Sequence, residues 1–226
     1  MKTLMNKNRQ KISGIFLILS GAIFLITEFI SAAAWSHPAY SYTYNFISNL
    51  GVRGPSHLFG QYMLSPLSWV MNTGFISFGI LIFIGTLFLT NISRAAHWIT
   101  SILGLIVAVG GVLVGYFHGL GEALIDGTGM YHSMGAFMAF IFGNILLITF
   151  GSINLPLSKR SKLILILLGI FGIIATLSYT AALILAPDNH PIIIIGLIER
   201  CAVYPILFGM IYTGYSMIKS KSISIK

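Results

Sequence analysis

Six long apolar runs, at about 12–34, 66–90, 97–118, 132–151, 163–186 and 193–218, alternate with short polar segments along this chain. A helix needs roughly 20 predominantly apolar residues to cross the hydrocarbon core of a bilayer, and each run meets that length. None shows the alternation of apolar and polar residues that marks a membrane β-barrel strand. The pattern therefore predicts an all-α, polytopic membrane protein with six transmembrane helices in one bundle, since a helix satisfies its own backbone in lipid. Residues 1–11 read as a basic tail, 12–218 as the transmembrane domain and 219–226 as a second tail. The Ser31-Ala-Ala-Ala-Trp35 stretch resembles a signal-peptide cleavage site. The preceding run, however, exceeds the usual h-region and is interrupted late by Glu28, so a retained helix is expected.

Composition sharpens this picture. Of 226 residues, 56% are hydrophobic and 8% charged, against about 25% charged in a soluble domain. The net charge of +8 does not mark a nucleic-acid face, because the basic residues are spread over several short segments. Eleven of the 13 Lys and Arg residues fall in the two tails and in the segments after the second and fourth runs. The positive-inside rule then predicts both termini cytoplasmic. Arg53 alone lies on the opposite side, and Arg200 lies within the sixth run. A single cysteine, Cys201, excludes an internal disulfide and a thiolate cluster.

The topology puts the long first loop, Trp35 to Ser65, outside the membrane. Its Tyr40, Tyr42, Tyr44 and Phe46, with Trp35 and Trp69 nearby, suit an aromatic belt at the headgroups. YTYNFISNLG is expected to form a short surface helix with Gly51 as its C-cap. In the third run, Gly111-x3-Gly115-x3-Gly119 makes a smooth stripe for close helix approach. There is no internal repeat of the kind that marks inverted-repeat transporters.

Candidate chemistry begins with depth. At about 1.5 Å of rise per residue, Glu28, Asn72, Tyr179, Glu199 and Arg200 share one layer about 10 Å below the outer surface. Ionisable residues at such depth usually face a bundle interior or an aqueous cavity. Glu199 and Arg200 are consecutive and diverge by about 100° around a helix. Arg200 therefore needs an acceptor on another helix, and Glu28 matches it. Glu199 is expected to bond Asn72 or Tyr179. A purely structural clamp between the first and sixth helices is the competing reading.

Above this layer lies Tyr116 to Gly135, YFHGLGEALIDGTGMYHSMG, expected to act as the outer lid of the pocket. His118, Glu122 and Asp126 would share one helical face if the third helix continued. With His132 they form a candidate set for a divalent metal such as zinc, a weak signal because HExxH and a tight His-x-His are both missing. Ser48, Ser133 or Ser178 could serve a hydrolase, but no G-x-S-x-G elbow marks one of them.

Three segments together carry a resemblance: Asn45-Phe-Ile-Ser-Asn-Leu-Gly51, Gly129-Met-Tyr-His-Ser-Met-Gly135 and Gly196-Leu-Ile-Glu-Arg200. In order and spacing the chain resembles the bacterial and archaeal membrane proteins grouped as domain of unknown function 998, over roughly 12–218. That resemblance implies six helices and a plasma-membrane location, and no reaction. It also maps its motifs onto Ser48, His132, Glu199 and Arg200, with Asn49 standing where an acid is expected. Three functions fit: binding, sensing or transport of a lipid headgroup or small polar ligand through an outward pocket; a lipid-modifying enzyme built on histidine and carboxylate; or a structural subunit. The bilayer is the one partner expected in all three, and nucleic acid in none.

Overall fold

The structure, a computed structural model, describes residues 2–119, 123, 125–185 and 193–219, with side chains from residue 5 onward. Six helices account for the apolar runs: α1 (Lys2–Ala34), α2 (Ser68–Leu87), α3 (Arg94–Tyr116), α4 (Gly129–Ser152), α5 (Lys159–Leu185) and α6 (Ile195–Lys219). All six are long and apolar enough to span a membrane. Each packs on its sequence neighbours, α6 closes the ring against α1, and α4 also touches α6. The helix α1 starts ahead of its apolar run, because the basic segment is rich in good helix formers and has local partners. Arg9 Nη2 donates to Leu87 O at 3.4 Å, and Thr90 Oγ1 donates to Asn6 O at 3.2 Å. Ser93 starts α3 as its N-cap, accepting from Ala96 N at 3.1 Å.

The glycine stripe sets the spacing of α3. A Cβ on Gly111 would lie 2.5 Å from Phe75 O, and one on Gly115 would lie 2.7 Å from Asn72 O, both backbone atoms of α2. Gly110 faces the other way, with its Cβ position 2.7 Å from Gly135 O of α4. The helices thus touch backbone to backbone, which only small residues allow. Gly111→Leu must drive α2 and α3 apart, and overpacking of this kind costs about 1–3 kcal/mol. A fall in the unfolding temperature in detergent is expected, and an unchanged midpoint would contradict this packing.

The connection from α1 to α2 departs most from expectation. It is not a helix lying on the surface. After α1 the chain forms turns, one 3-10 turn at Ser48–Gly51, and a hairpin of β1 (Ser56–Leu58) and β2 (Gln61–Met63). The strands are antiparallel, with Ser56 opposite Met63. Phe46, Ile47, Asn49, Leu50 and Val52 are buried, so this strap dips into the mouth of the bundle. The cause is apolarity. Ile47, Leu50 and Val52 join the same core as Phe24, Met71 and Phe75, and exposing them to water would forfeit roughly 1.5–3 kcal/mol for each large side chain.

Gly51 is not a left-handed C-cap, since Gly54, Gly60 and Gly127 are the glycines of positive φ among the described residues. Its role is close approach. Asn72 Nδ2 donates to Gly51 O at 2.9 Å, and a Cβ at 51 would collide with Asn72 Oδ1. The aromatic belt is also smaller than expected. Trp35 is buried, while Trp69 and Trp98 stand exposed and fit interfacial anchors.

Candidate functional site

The polar layer forms, and its partners are mainly backbone. Glu28 of α1 and Arg200 of α6 pair as the depths require, with Arg200 Nη2 2.9 Å and Nε 3.1 Å from Glu28 Oε1. Both are buried, at 1% and 4% exposure. Arg200 Nη1 donates to Tyr42 O (2.7 Å), Asn45 O (3.0 Å) and Gly196 O (2.9 Å). Its Nη2 also donates to Tyr40 Oη at 2.5 Å, and Tyr40 Oη donates onward to Phe46 O at 3.0 Å. Burial pushes the Tyr40 phenol well above its ordinary pKa, which keeps it a neutral donor in this relay. The guanidinium carbon lies 4.8 Å from the Tyr42 ring centroid and 5.6 Å from that of Tyr40. A planar fork with five donors suits this role, because it can serve a carboxylate, carbonyls and aromatic faces at once. Tyr204 Oη adds a donor to Glu28 Oε1 at 3.2 Å.

Glu199 does not bond Asn72 or Tyr179. Its Oε2 accepts the backbone N–H of Ile47 at 2.5 Å, while Asn72 is spent on Gly51 and Tyr179 packs edge-on against Phe46 at 6.1 Å. Apart from the Glu28–Arg200 pair, the hydrogen bonds of the layer go mainly to the strap rather than between its own side chains. Leu197 N also donates to Thr43 O at 3.0 Å, tying the start of α6 to the same segment. From the hairpin, Gln61 Nε2 donates to Tyr44 O at 2.6 Å, and Gln61 Oε1 accepts from Asn49 Nδ2 at 2.5 Å and Phe46 N at 3.3 Å. Gln61 and Tyr40 thus hold the strap, and neither carries a sequence signal for that task. A polar residue inside an aromatic-rich segment is the only hint.

Beneath the strap lies a cavity of about 300 Å³, at the small end of the range typical of ligand pockets. Every helix contributes: Phe24 (α1), Phe75 (α2), Val114 (α3), Ala136 (α4), Tyr179 (α5) and Glu199 (α6) all line it. The strap roofs it with Phe46, Ile47, Ser48 and Asn49, and the hairpin adds Leu58 and Phe59. The hairpin turn is unusual. Phe59 has φ 48° and Gly60 φ 73°, a left-handed pair that ordinarily favours Asn-Gly. A bulky residue there is strained, and such strain concentrates at ligand clamps. It places the Phe59 ring at the cavity, 6.3 Å from Phe46 and half exposed.

The wall is mainly aromatic and aliphatic, and its polar points are few. Glu199, Tyr179, His132, Ser48, Asn49 and Ser133 line it, whereas Glu28, Arg200, Asn72 and His118 do not. Of the residues expected to form one polar pocket, the structure therefore makes two groups: an ion pair mooring the strap, and a cavity with Glu199 at its polar end.

The described part of the Tyr116–Gly135 stretch lines the side of the cavity through Gly119, Gly129, His132 and Ser133, while the strap covers its mouth. The helix α3 stops at Tyr116, so His118 and Asp126 share no helical face. His118 is exposed beyond that end, and Asp126 is exposed in its own turn. Asp126 Oδ1 accepts from Thr128 N (2.8 Å) and Thr128 Oγ1 (2.6 Å), which holds its carboxyl below the usual range. His132 Nδ1 donates to Phe117 O at 2.7 Å, leaving Nε2 as its acceptor. Glu122 lies outside the described residues. Among the described residues no three His, Cys, Asp or Glu side chains gather as ligands. The described donors do not fit a zinc set.

Comparison with known families places these features in context. The model of the family described as protein of unknown function (DUF998) matches residues 18–215, and the chain belongs to that family. The match spans both the strap and the Glu-Arg step of α6. No curated protein and no solved structure matches the chain.

Proposed function

We propose that this DUF998 protein binds a small ligand in the cavity beneath the strap, as a membrane receptor or carrier loaded from the outer side. The observation carrying this reading is the cavity itself, lined by all six helices and roofed by a strap that takes part in the binding wall. A bundle needing only rigidity would fill that space, since packed interiors rarely leave voids larger than a water molecule. The outer assignment rests on the distribution of Lys and Arg, which leaves Arg53 as the one basic residue in the connecting segments on the strap side. The aromatic wall favours a ligand with an apolar body over a bare polar headgroup. The few polar points would orient it, as in most small-molecule sites.

Hexan-1-ol is a suitable neutral probe. In lipid nanodiscs it is expected to raise the unfolding temperature saturably, because a ligand of the native state stabilises by mass action. Ala136→Trp, which fills the cavity, should abolish that rise. No rise in the natural chain, or an equal rise in the variant, would sink the proposal.

A further inference from the structure

We infer that the cavity is built for a small organic cation, an alkyl- or quaternary ammonium group on an apolar body. This rests on the reading of the cavity as a ligand site, and it names the class of ligand. Among the described residues three charged side chains are buried at this end of the bundle: Glu28, Glu199 and Arg200. Arg200 gives its donors to Glu28, to Tyr40 and to three backbone carbonyls. None reaches Glu199.

Glu199 is 3% exposed and lines the cavity. Its Oε2 has one backbone N–H, and among the described residues no hydrogen bond reaches Oε1. Among the described residues the cavity wall holds no Lys or Arg, and His132, the one histidine among them, has its Nδ1 proton committed to Phe117 O. Arg200 acts on Glu199 only as a neighbouring charge, and a buried carboxylate with no hydrogen-bonded cation is costly, so such groups are normally paired directly or take up a proton. The missing partner is a positive charge, and the open space beside Glu199 is where it would sit.

The rest of the wall fits the same guest. Phe46, Phe59, Phe75, Phe78, Phe140 and Tyr179 surround the space. Aromatic faces carry negative potential and attract ammonium groups, most strongly when desolvated. Tyr179 stands edge-on to both Phe46 (6.1 Å) and Phe140 (6.0 Å), so the three rings meet at angles, as the panels of a cage do. An anionic guest would meet Glu199 head on, and a neutral one would leave it unmatched.

The test compares three probes of one chain length: hexyltrimethylammonium, hexan-1-ol and hexanoate. Each is titrated against the protein in nanodiscs, with the unfolding midpoint read at each concentration. The cation is expected to bind at least about tenfold more tightly than the alcohol, and hexanoate more weakly than either. Glu199→Gln keeps an acceptor for the Ile47 N–H and removes the charge, and should bring cation and alcohol to nearly equal affinity. Ala136→Trp should abolish all three. If the alcohol binds in the natural chain and the cation binds no tighter, the cation inference falls while the cavity reading stands. If Glu199→Gln still prefers the cation, the inference falls in the same way. If no probe shifts the midpoint, the cavity reading falls with it.

Discussion

Arg200→Met should cost about 3–5 kcal/mol of stability, the range for removing one partner of a buried ion pair, and leave little folded protein in the membrane fraction. The substitution strands the Glu28 carboxylate, which is 1% exposed. It also removes the donor serving Tyr42 O, Asn45 O, Gly196 O and Tyr40 Oη. Glu28→Gln should be milder, because an amide oxygen still accepts from Nε and Nη2 and the three carbonyls keep their donor. A charge swap, Glu28→Arg with Arg200→Glu, should not rescue folding. The carbonyls are addressed from position 200, and a guanidinium carried on α1 leaves them without it. The measurement is chemical unfolding in detergent. Equal destabilisation by Arg200→Met and Glu28→Gln would contradict the mooring role.

Gly196→Val should release the strap. A Cβ at 196 would collide with Asn45 O and approach Thr43 O at 3.0 Å, both backbone atoms of the strap. Backbone cannot move aside as a flexible side chain can, so an overpacking cost of about 1–3 kcal/mol is expected. The adjacent bond from Leu197 N to Thr43 O would be lost with it. Arg53 provides the readout, since it lies exposed between strap and hairpin. Trypsin needs a locally opened backbone, so the native protein should resist cleavage after Arg53 and the variant should be cut. Equal cleavage of both would show that the strap is not held at Gly196.

Much of this was legible in the chain. Six apolar runs became six helices, and Gly111 and Gly115 of the expected stripe make the close contact of α3 with α2, whereas Gly119 falls beyond the helix and faces His132. Counting helical rise from the ends of the runs was enough to match Glu28 with Arg200, because ions on separate helices can meet only at equal depth. What could not be read was the set of backbone partners. A peptide N–H or C=O has no sequence signature, so side-chain chemistry alone points Glu199 to Asn72 or Tyr179, whereas its partner is the N–H of Ile47. The same blindness hid the strap's part in covering the cavity. Tyr40 to Phe46 looks like an interfacial belt by composition, yet Phe46, Ile47, Leu50 and Val52 are drawn into the bundle. Once inside, their backbone groups become the acceptors and donors that the polar layer requires. The Tyr116–Gly135 histidines and carboxylates stood out because ionisable residues are rare in this chain. Rarity marks position near the bundle end, and Asp126 merely closes its own turn.

The most direct test of a cavity loaded from the strap side places a cysteine inside it. Ala136→Cys, in a Cys201→Ser background, is treated in sealed vesicles with a small, membrane-impermeant methanethiosulfonate carrying a trimethylammonium group. Leu105→Cys on the exposed, apolar face of α3 serves as the control. The cavity cysteine should react from the side bearing the strap, faster than the control and faster than with the corresponding sulfonate reagent, and hexyltrimethylammonium should slow it. Reaction no faster than at position 105, or only from the opposite side of the membrane, would contradict a ligand cavity beneath the strap.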